Sequence, residues 1–201
     1  LIADLMGDDL LAERRLHLAL DDRRSVGEAL CQQIELADLV VAARTTDTSA
    51  ALLDHLVSRT AQRMAGPHPR DWSPLLEPLH HGIESLRRLD AMHREPTGAR
   101  DEHEVWTLDL ASPQPMHPDR VREEMAVLTG TGLRVRGRVW LPGRPETVVQ
   151  WDGVGGQLSV GGLEASGQTP AGSRLVATGT KPADPLKVRS AFRRALLTEH
   201  E

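Results

Sequence analysis

The sequence predicts an α/β segment followed by an α+β domain, and three observations carry that expectation. Up to residue 64 the apolar residues follow a helix, buried strand, helix rhythm, the grammar of a parallel α/β layer. From residue 104 onward the rhythm changes to alternating strands and two amphipathic helices in the order βαββββα. That order implies one antiparallel sheet with helices on one face. Between them, Gly66, Pro67, Pro69, Pro74, Pro78, Pro96 and Gly98 break up residues 65–103, which therefore read as a linker. The expected organisation is 1–64, a histidine-containing linker at 65–103, and 104–201.

Element by element, the chain opens on Leu1-Ile2-Ala3-Asp4-Leu5, which reads as mid-helix, so a fragment of a longer chain is expected. Ser25 and Glu28 have capping-box spacing, and Val26, Leu30, Ile34 and Ala37 recur at helical intervals, predicting a helix over 25–37. Asp38-Leu39-Val40-Val41-Ala42 reads as a short continuous apolar run, the pattern of a parallel strand buried on both faces. Thr48 is placed to cap the next helix, with Leu52, Leu53, Leu56, Val57 and Met64 as its apolar stripe. A further helix is expected over 79–92 within the linker.

In the second half, Trp106, Leu108 and Leu110 share one face of a half-buried strand over 104–110. Pro118 suits the first turn of a helix with Val121, Met125 and Leu128 at core spacing, and Gly130 and Gly132 close it. In the strand 133–141, Leu133, Val135, Val139 and Leu141 face one way. Arg134, Arg136, Arg138 and Trp140 face the other, expected to be solvated. Strands over 146–152 and 156–161 flank a glycine-rich hairpin at Gly153-Val154-Gly155, and a fifth strand spans 174–178. Asp184-Pro185 starts a last helix that buries Val188, Ala191, Phe192, Ala195 and Leu196.

A net charge of -5 argues against a surface built to blanket nucleic acid, and no DNA partner is expected. One cysteine, Cys31, makes neither an internal disulfide nor a zinc site alone and reads as a buried small hydrophobe. No apolar run approaches the roughly 18 residues of a membrane span. A cytoplasmic protein with no membrane partner is expected.

Two groups of side chains stand out as candidate sites. His80, His81 and Glu84 lie in the linker, with His80 and Glu84 four residues apart as half a metal site; the alternative is solvated loop histidines. Arg134, Arg136, Arg138 and Trp140 form a basic, aromatic-ended strand face suited to an acidic partner or an RNA backbone. Its alternative is a solvated face with cross-strand partners such as Gln150 and Asp152. No acid or histidine constellation accompanies these arginines, so no catalytic residue is assigned. His117 reads as a capping residue, and Trp106, Trp140 and Trp151 as sheet packing.

Met116-His117-Pro118-Asp119-Arg120, Arg136-Gly137-Arg138-Val139-Trp140-Leu141, Arg144-Pro145, Gly155-Gly156-Gln157-Leu158 and Arg194-Ala195-Leu196-Leu197-Thr198 occur in that order over about 90 residues. Together they resemble the carboxyl-terminal domain of CobW-type P-loop GTPases. Asp21-Asp22-Arg23-Arg24-Ser25-Val26 leading to Gln33-Ile34-Glu35-Leu36-Ala37-Asp38 resembles the segment of that family's GTPase domain that precedes its guanine motif. By that resemblance, residues 1–64 are the end of a P-loop domain. The family's Asn-Lys-x-Asp is replaced by Ala43-Arg44-Thr45-Thr46-Asp47, leaving Arg44 and Asp47 as the degenerate base-binding residues. The family's phosphate loop and Cys-x-Cys-Cys metal motif are expected upstream of Leu1.

The resemblance implies GTP and zinc, or cobalt, for the full-length protein and neither for this chain alone. It implies metallochaperone work with a client metalloprotein or other protein partner. A non-catalytic adaptor is the alternative, for example a zinc-limitation factor acting at the ribosome, with RNA in contact.

Overall fold

The computed structural model describes residues 1–66, 82–83, 103–143, 147–164 and 172–198. The expected linker helix and most of 65–103 lie outside them. The first segment runs α1 (Ile2–Met6), α2 (Val26–Leu36), β1 (Leu39–Ala42), α3 (Asp47–Leu56) and β2 (Gln62–Ala65). Ser25 caps α2 by accepting the amide of Glu28, as the spacing predicts. The Glu28 carboxylate does not complete a capping box; it accepts the hydroxyl of Ser159 at 3.1 Å, across the molecule.

β1 and β2 pair in parallel with α3 as their crossover, a βαβ unit. Two expectations are corrected here. Thr46, not Thr48, caps α3, through a reciprocal capping box with Ser49. Met64 belongs to β2 and not to a helical stripe, because α3 ends at Leu56, with Val57 as its extended cap. β1 is a strand as expected, but it is only partly covered, with Val41 44% exposed.

The second unit follows the expected order: β3 (Trp106–Ser112), α4 (Pro118–Leu128), β4 (Leu133–Val139), β5 (Thr147–Val154), β6 (Gln157–Glu164), β7 (Ser173–Gly179) and α5 (Pro185–Ala195). The sheet is antiparallel throughout, in spatial order β3-β7-β4-β5-β6, so β7 returns to sit between β3 and β4. One face packs on the helices: Trp106, Leu110, Leu133, Val135, Val139, Trp151, Leu175 and Ala177 meet Val121 and Leu128 of α4 and Val188, Ala191, Phe192 and Ala195 of α5. The period-two assignment of β3 and the apolar side of β4 therefore hold. Pro118 starts α4 behind a His117 cap, and Asp184 caps α5.

The hairpin between β5 and β6 turns on Gly155 and Gly156, two residues later than the expected position, with φ of +57° and +96°. Positive φ at both central residues is what a two-residue hairpin of type I′ demands. Gly155 has a second reason to be glycine: a Cβ there would stand 2.1 Å from the carbonyl oxygen of Gly7. The end of α1 is thus pressed against the hairpin, and the Gly132 amide donates to the Met6 carbonyl at 3.2 Å. Leu5, Met6, Cys31, Leu52 and Leu56 share a core with Val105 and Val154 of the second unit. Consequently the first segment covers the sheet face that the helices leave open.

Gly155→Ala should cost more than the roughly 1 kcal/mol of a positive-φ substitution alone, because the Gly7 backbone must also retreat. Gly156→Ala, with open space around its Cβ, should cost only the conformational part. Urea midpoints of the two variants check this, and equal losses would remove the close contact as a cause.

Candidate functional site

β4 alternates, so the same register that points Val135 into the helix-side core points Arg134 and Arg136 at the first segment. On α2, Glu28, Gln32 and Glu35 recur at four- and three-residue steps and share one stripe. All three reach the sheet. Gln32 donates to Asp152 Oδ2 at 3.4 Å, and Glu28 meets Ser159.

Glu35 is the centre of the arrangement. Arg134 donates to it through Nε at 3.2 Å and Nη2 at 3.0 Å, a two-pronged contact, and Arg136 Nη1 adds a third at 2.5 Å. Asp152, opposite Arg136 in the β4–β5 ladder, pairs with Arg134 Nη1 and lies 3.8 Å from Arg136 Nε. Arg134 and Glu35 are each 2% exposed and Arg136 is 5% exposed. Two carboxylates thus meet two guanidiniums in a nearly dry place, and the formal charges cancel.

Burial alone pulls the Arg134 pKa down, but the charges of Glu35 and Asp152 outweigh it and hold Arg134 above its ordinary value. It stays cationic at any pH the fold survives. The solvated face expected of Arg134 and Arg136 is corrected accordingly: the first segment covers them, and their acidic partner is in the same chain. Arg138 sits between Gln150 and Arg174 at the far end of β4, partly exposed. Partly buried Trp140 donates its amide to Ser173 Oγ at 3.0 Å.

A second tie runs beside the first. His55, in the last turn of α3 and 3% exposed, places Nδ1 2.7 Å from Thr107 Oγ1, which lies 2.8 Å from Thr178 Oγ1. A cavity of about 10 Å³ separates His55 from Glu35 and the two arginines, space on the order of one water.

These ties bracket the loop 43–46. It follows α2 and β1 and opens α3, so Glu35 holds the helix before it and His55 the far end of the helix after it. Arg44 and Asp47 are exposed there. Guanine recognition is poorly served: Ala43 offers no hydrogen-bonding side chain, and the Thr46 hydroxyl is committed to the Ser49 amide at 3.2 Å. Of the expected metal residues, His80, His81 and Glu84 lie outside the described residues. Among the described residues no group of three or more His, Cys, Asp or Glu side chains is arranged to hold a metal. Cys31 is fully buried, as expected of a small hydrophobe, with Sγ 3.5 Å from the Leu5 carbonyl oxygen.

Sequence reasoning named Asp152 as a cross-strand partner of the arginines, which its place opposite Arg136 in the ladder and its contact with Arg134 bear out, but it missed Glu35 and His55. A signal existed: the polar stripe Glu28, Gln32 and Glu35, acidic at two of its three positions, matches the basic stripe of β4. Nothing in either string alone says that the two faces meet.

Comparison with known proteins places the chain. Residues 105–196 match the model of the cobalamin synthesis protein cobW C-terminal domain. Over 147 residues, 70% of this chain, it is 32% identical to the zinc chaperone Rv0106 of Mycobacterium tuberculosis and equally to the uncharacterized protein Mb0109 of Mycobacterium bovis. The chain spans 35% of the length of these relatives. Among solved structures, a zinc-bound triple mutant of the YjiA GTPase superposes with a TM-score of 0.51 at 17% identity. That alignment covers 86% of this chain and 55% of the other. It is a likeness of fold.

Glu35→Gln leaves two buried guanidiniums facing one carboxylate and should cost about 3–5 kcal/mol. Arg136→Gln alone should also destabilise. The double variant restores balance around Arg134 and Asp152, so its loss should fall below the sum of the singles. A urea double-mutant cycle reads the coupling; simple additivity would mean that the two charges do not act as a unit.

Proposed function

From the match of residues 105–196 to the CobW C-terminal domain we propose that the chain belongs to the CobW family and is the carboxyl-terminal part of a cytoplasmic, GTP-binding metal-homeostasis protein with zinc as its cargo. In this reading the five-stranded unit serves the encounter with a client protein. Residues 1–64 are the end of the nucleotide domain, and 65–103 connect the two. Phosphate handling and first capture of the metal fall to the remaining length of the full protein.

The observation that supports the reading most is the double tie around loop 43–46. In this reading the base loop lies between two helices that are both fastened to the sheet of the five-stranded unit, Glu35 on one side and His55 on the other. Such a loop senses where the sheet is. A change in the nucleotide domain would therefore bear directly on Arg134, Arg136 and Thr107, the side chains that seat it. Among the described residues no helix is long and apolar enough to cross a membrane.

Ala43 favours a second reading. A guanine site that has lost its asparagine discriminates poorly, because buried donors of the base go unmatched. A chain with this loop would serve as a non-catalytic adaptor that keeps the scaffold and works through a partner.

Calorimetric titration of zinc and GTP into the full-length gene product, with this chain beside it, separates the two. The metal-delivery reading expects the full-length protein to bind both ligands and this chain to bind neither. Failure of the full-length protein to bind GTP sinks the GTPase assignment and leaves the adaptor.

A further inference from the structure

The outward face of α5 carries charge that the rest of the molecule does not use. Its inward stripe, Val188, Ala191, Phe192 and Ala195, is buried on the sheet. Outside, Lys187, Arg189, Arg193 and Arg194 are exposed, with no acidic residue within the helix. Arg194 is engaged, holding Glu124 of α4 at 2.5 and 2.7 Å. That hydrogen bond keeps the Glu124 carboxyl below its ordinary pKa. Among the described residues no carboxylate pairs with Lys187, Arg189 or Arg193.

Arg189 and Arg193 are four residues apart, the spacing at which like charges destabilise a helix by about 0.2–0.5 kcal/mol. Arg193, in the last turn, is favoured by the helix dipole, but Arg189 lies before that turn and helix stability gives no reason to place it four residues from another arginine. A solubilising surface would mix signs, and a chain of net charge -5 has acids to spare. In the same stripe, at three- and seven-residue steps before these arginines, stands Leu186, 71% exposed. An exposed leucine beside unpaired arginines is the make-up of a protein-binding surface, where arginine is enriched and apolar anchors sit among charges.

We propose that the outward face of α5, Leu186, Lys187, Arg189 and Arg193, is a docking surface for an acidic protein segment that also carries apolar side chains. Carboxylates of the partner take the two arginines and the lysine, and its apolar residue covers Leu186. An RNA backbone matches the cations equally well but gives Leu186 no role. Among the described residues the face also offers no exposed aromatic ring on which a base would stack. The inference stands on α5 alone, so its failure would leave zinc and GTP binding by the full-length protein untouched.

Fluorescence anisotropy of this chain tests it with three labelled probes of equal charge: a Glu-Glu-Leu repeat peptide, polyglutamate and oligouridylate. The repeat peptide should bind saturably and tightest, and its binding should weaken with added salt. Arg189→Gln/Arg193→Gln should weaken it by about tenfold or more, and Arg189→Gln alone should weaken it while leaving the fold as stable as before, a split that a structural role would not produce. Leu186→Ser should weaken the repeat peptide and not polyglutamate. The proposal is overturned by absence of saturable binding, by indifference to the arginine variants, by equal loss of both peptides in Leu186→Ser, or by oligouridylate binding tighter than the repeat peptide.

Discussion

A strand with arginine at alternate positions commits one of its faces to positive charge, and if that face is buried the neutralising charge must come with whatever buries it. In β4 the covering element is α2, and the charge is Glu35, 99 positions before Arg134. An isolated buried guanidinium is prohibitively costly, so the first segment cannot be laid on the sheet in any register that misses this carboxylate. Apolar contacts such as Leu5 and Met6 against Val154 supply adhesion. They tolerate sliding, whereas three hydrogen bonds to one carboxylate do not. Adhesion and register thus come from different residues.

That division explains why the two sheet faces are built so differently. The face toward α4 and α5 is filled by the apolar side chains of Trp151, Leu175, Phe192 and their neighbours. Its helices are joined to the sheet by short connections, so chain continuity already limits their placement. The opposite face receives a segment that precedes residues 65–103 in the chain, a sequence separation far greater than those of α4 and α5 from their strands. Polar groups of fixed geometry, Glu35 with its arginines and His55 with Thr107 and Thr178, then select one placement among many apolar ones. Buried ion pairs contribute little net stability over apolar replacements, and selection of placement is what they supply here.

The fold was largely legible because its signals are local. Pro118, the Asp184-Pro185 pair and Ser25 each mark a helix start through the chemistry of the first turn, and the alternation in β3 and β4 assigns one face of the sheet correctly. The errors follow the same logic. Met64 continued the 3.6-residue period past the end of α3, and only its pairing with Val41 makes it a strand residue. The hairpin moved to Gly155 and Gly156 because the paired ends, Val154 and Gln157, set the turn, and glycine content alone does not.

The site was less legible because burial is a property of two surfaces and the sequence presents them separately. Arg134 and Arg136 on an alternating strand carry the pattern of a solvated face, and within the sheet unit alone that is what they would be. Their burial depends on α2, whose acidic stripe has in turn the look of a solvated helix side. Each stripe taken singly suggests water as its partner; only their match in sign and spacing suggests each other. The same reasoning turned outward distinguishes α5, whose Lys187, Arg189 and Arg193, unlike Arg194, meet no carboxylate in the described residues. Within one chain, then, the charged stripes that meet a complement hold the structure in register, and the stripe that lacks one is where a second molecule has something to gain by binding.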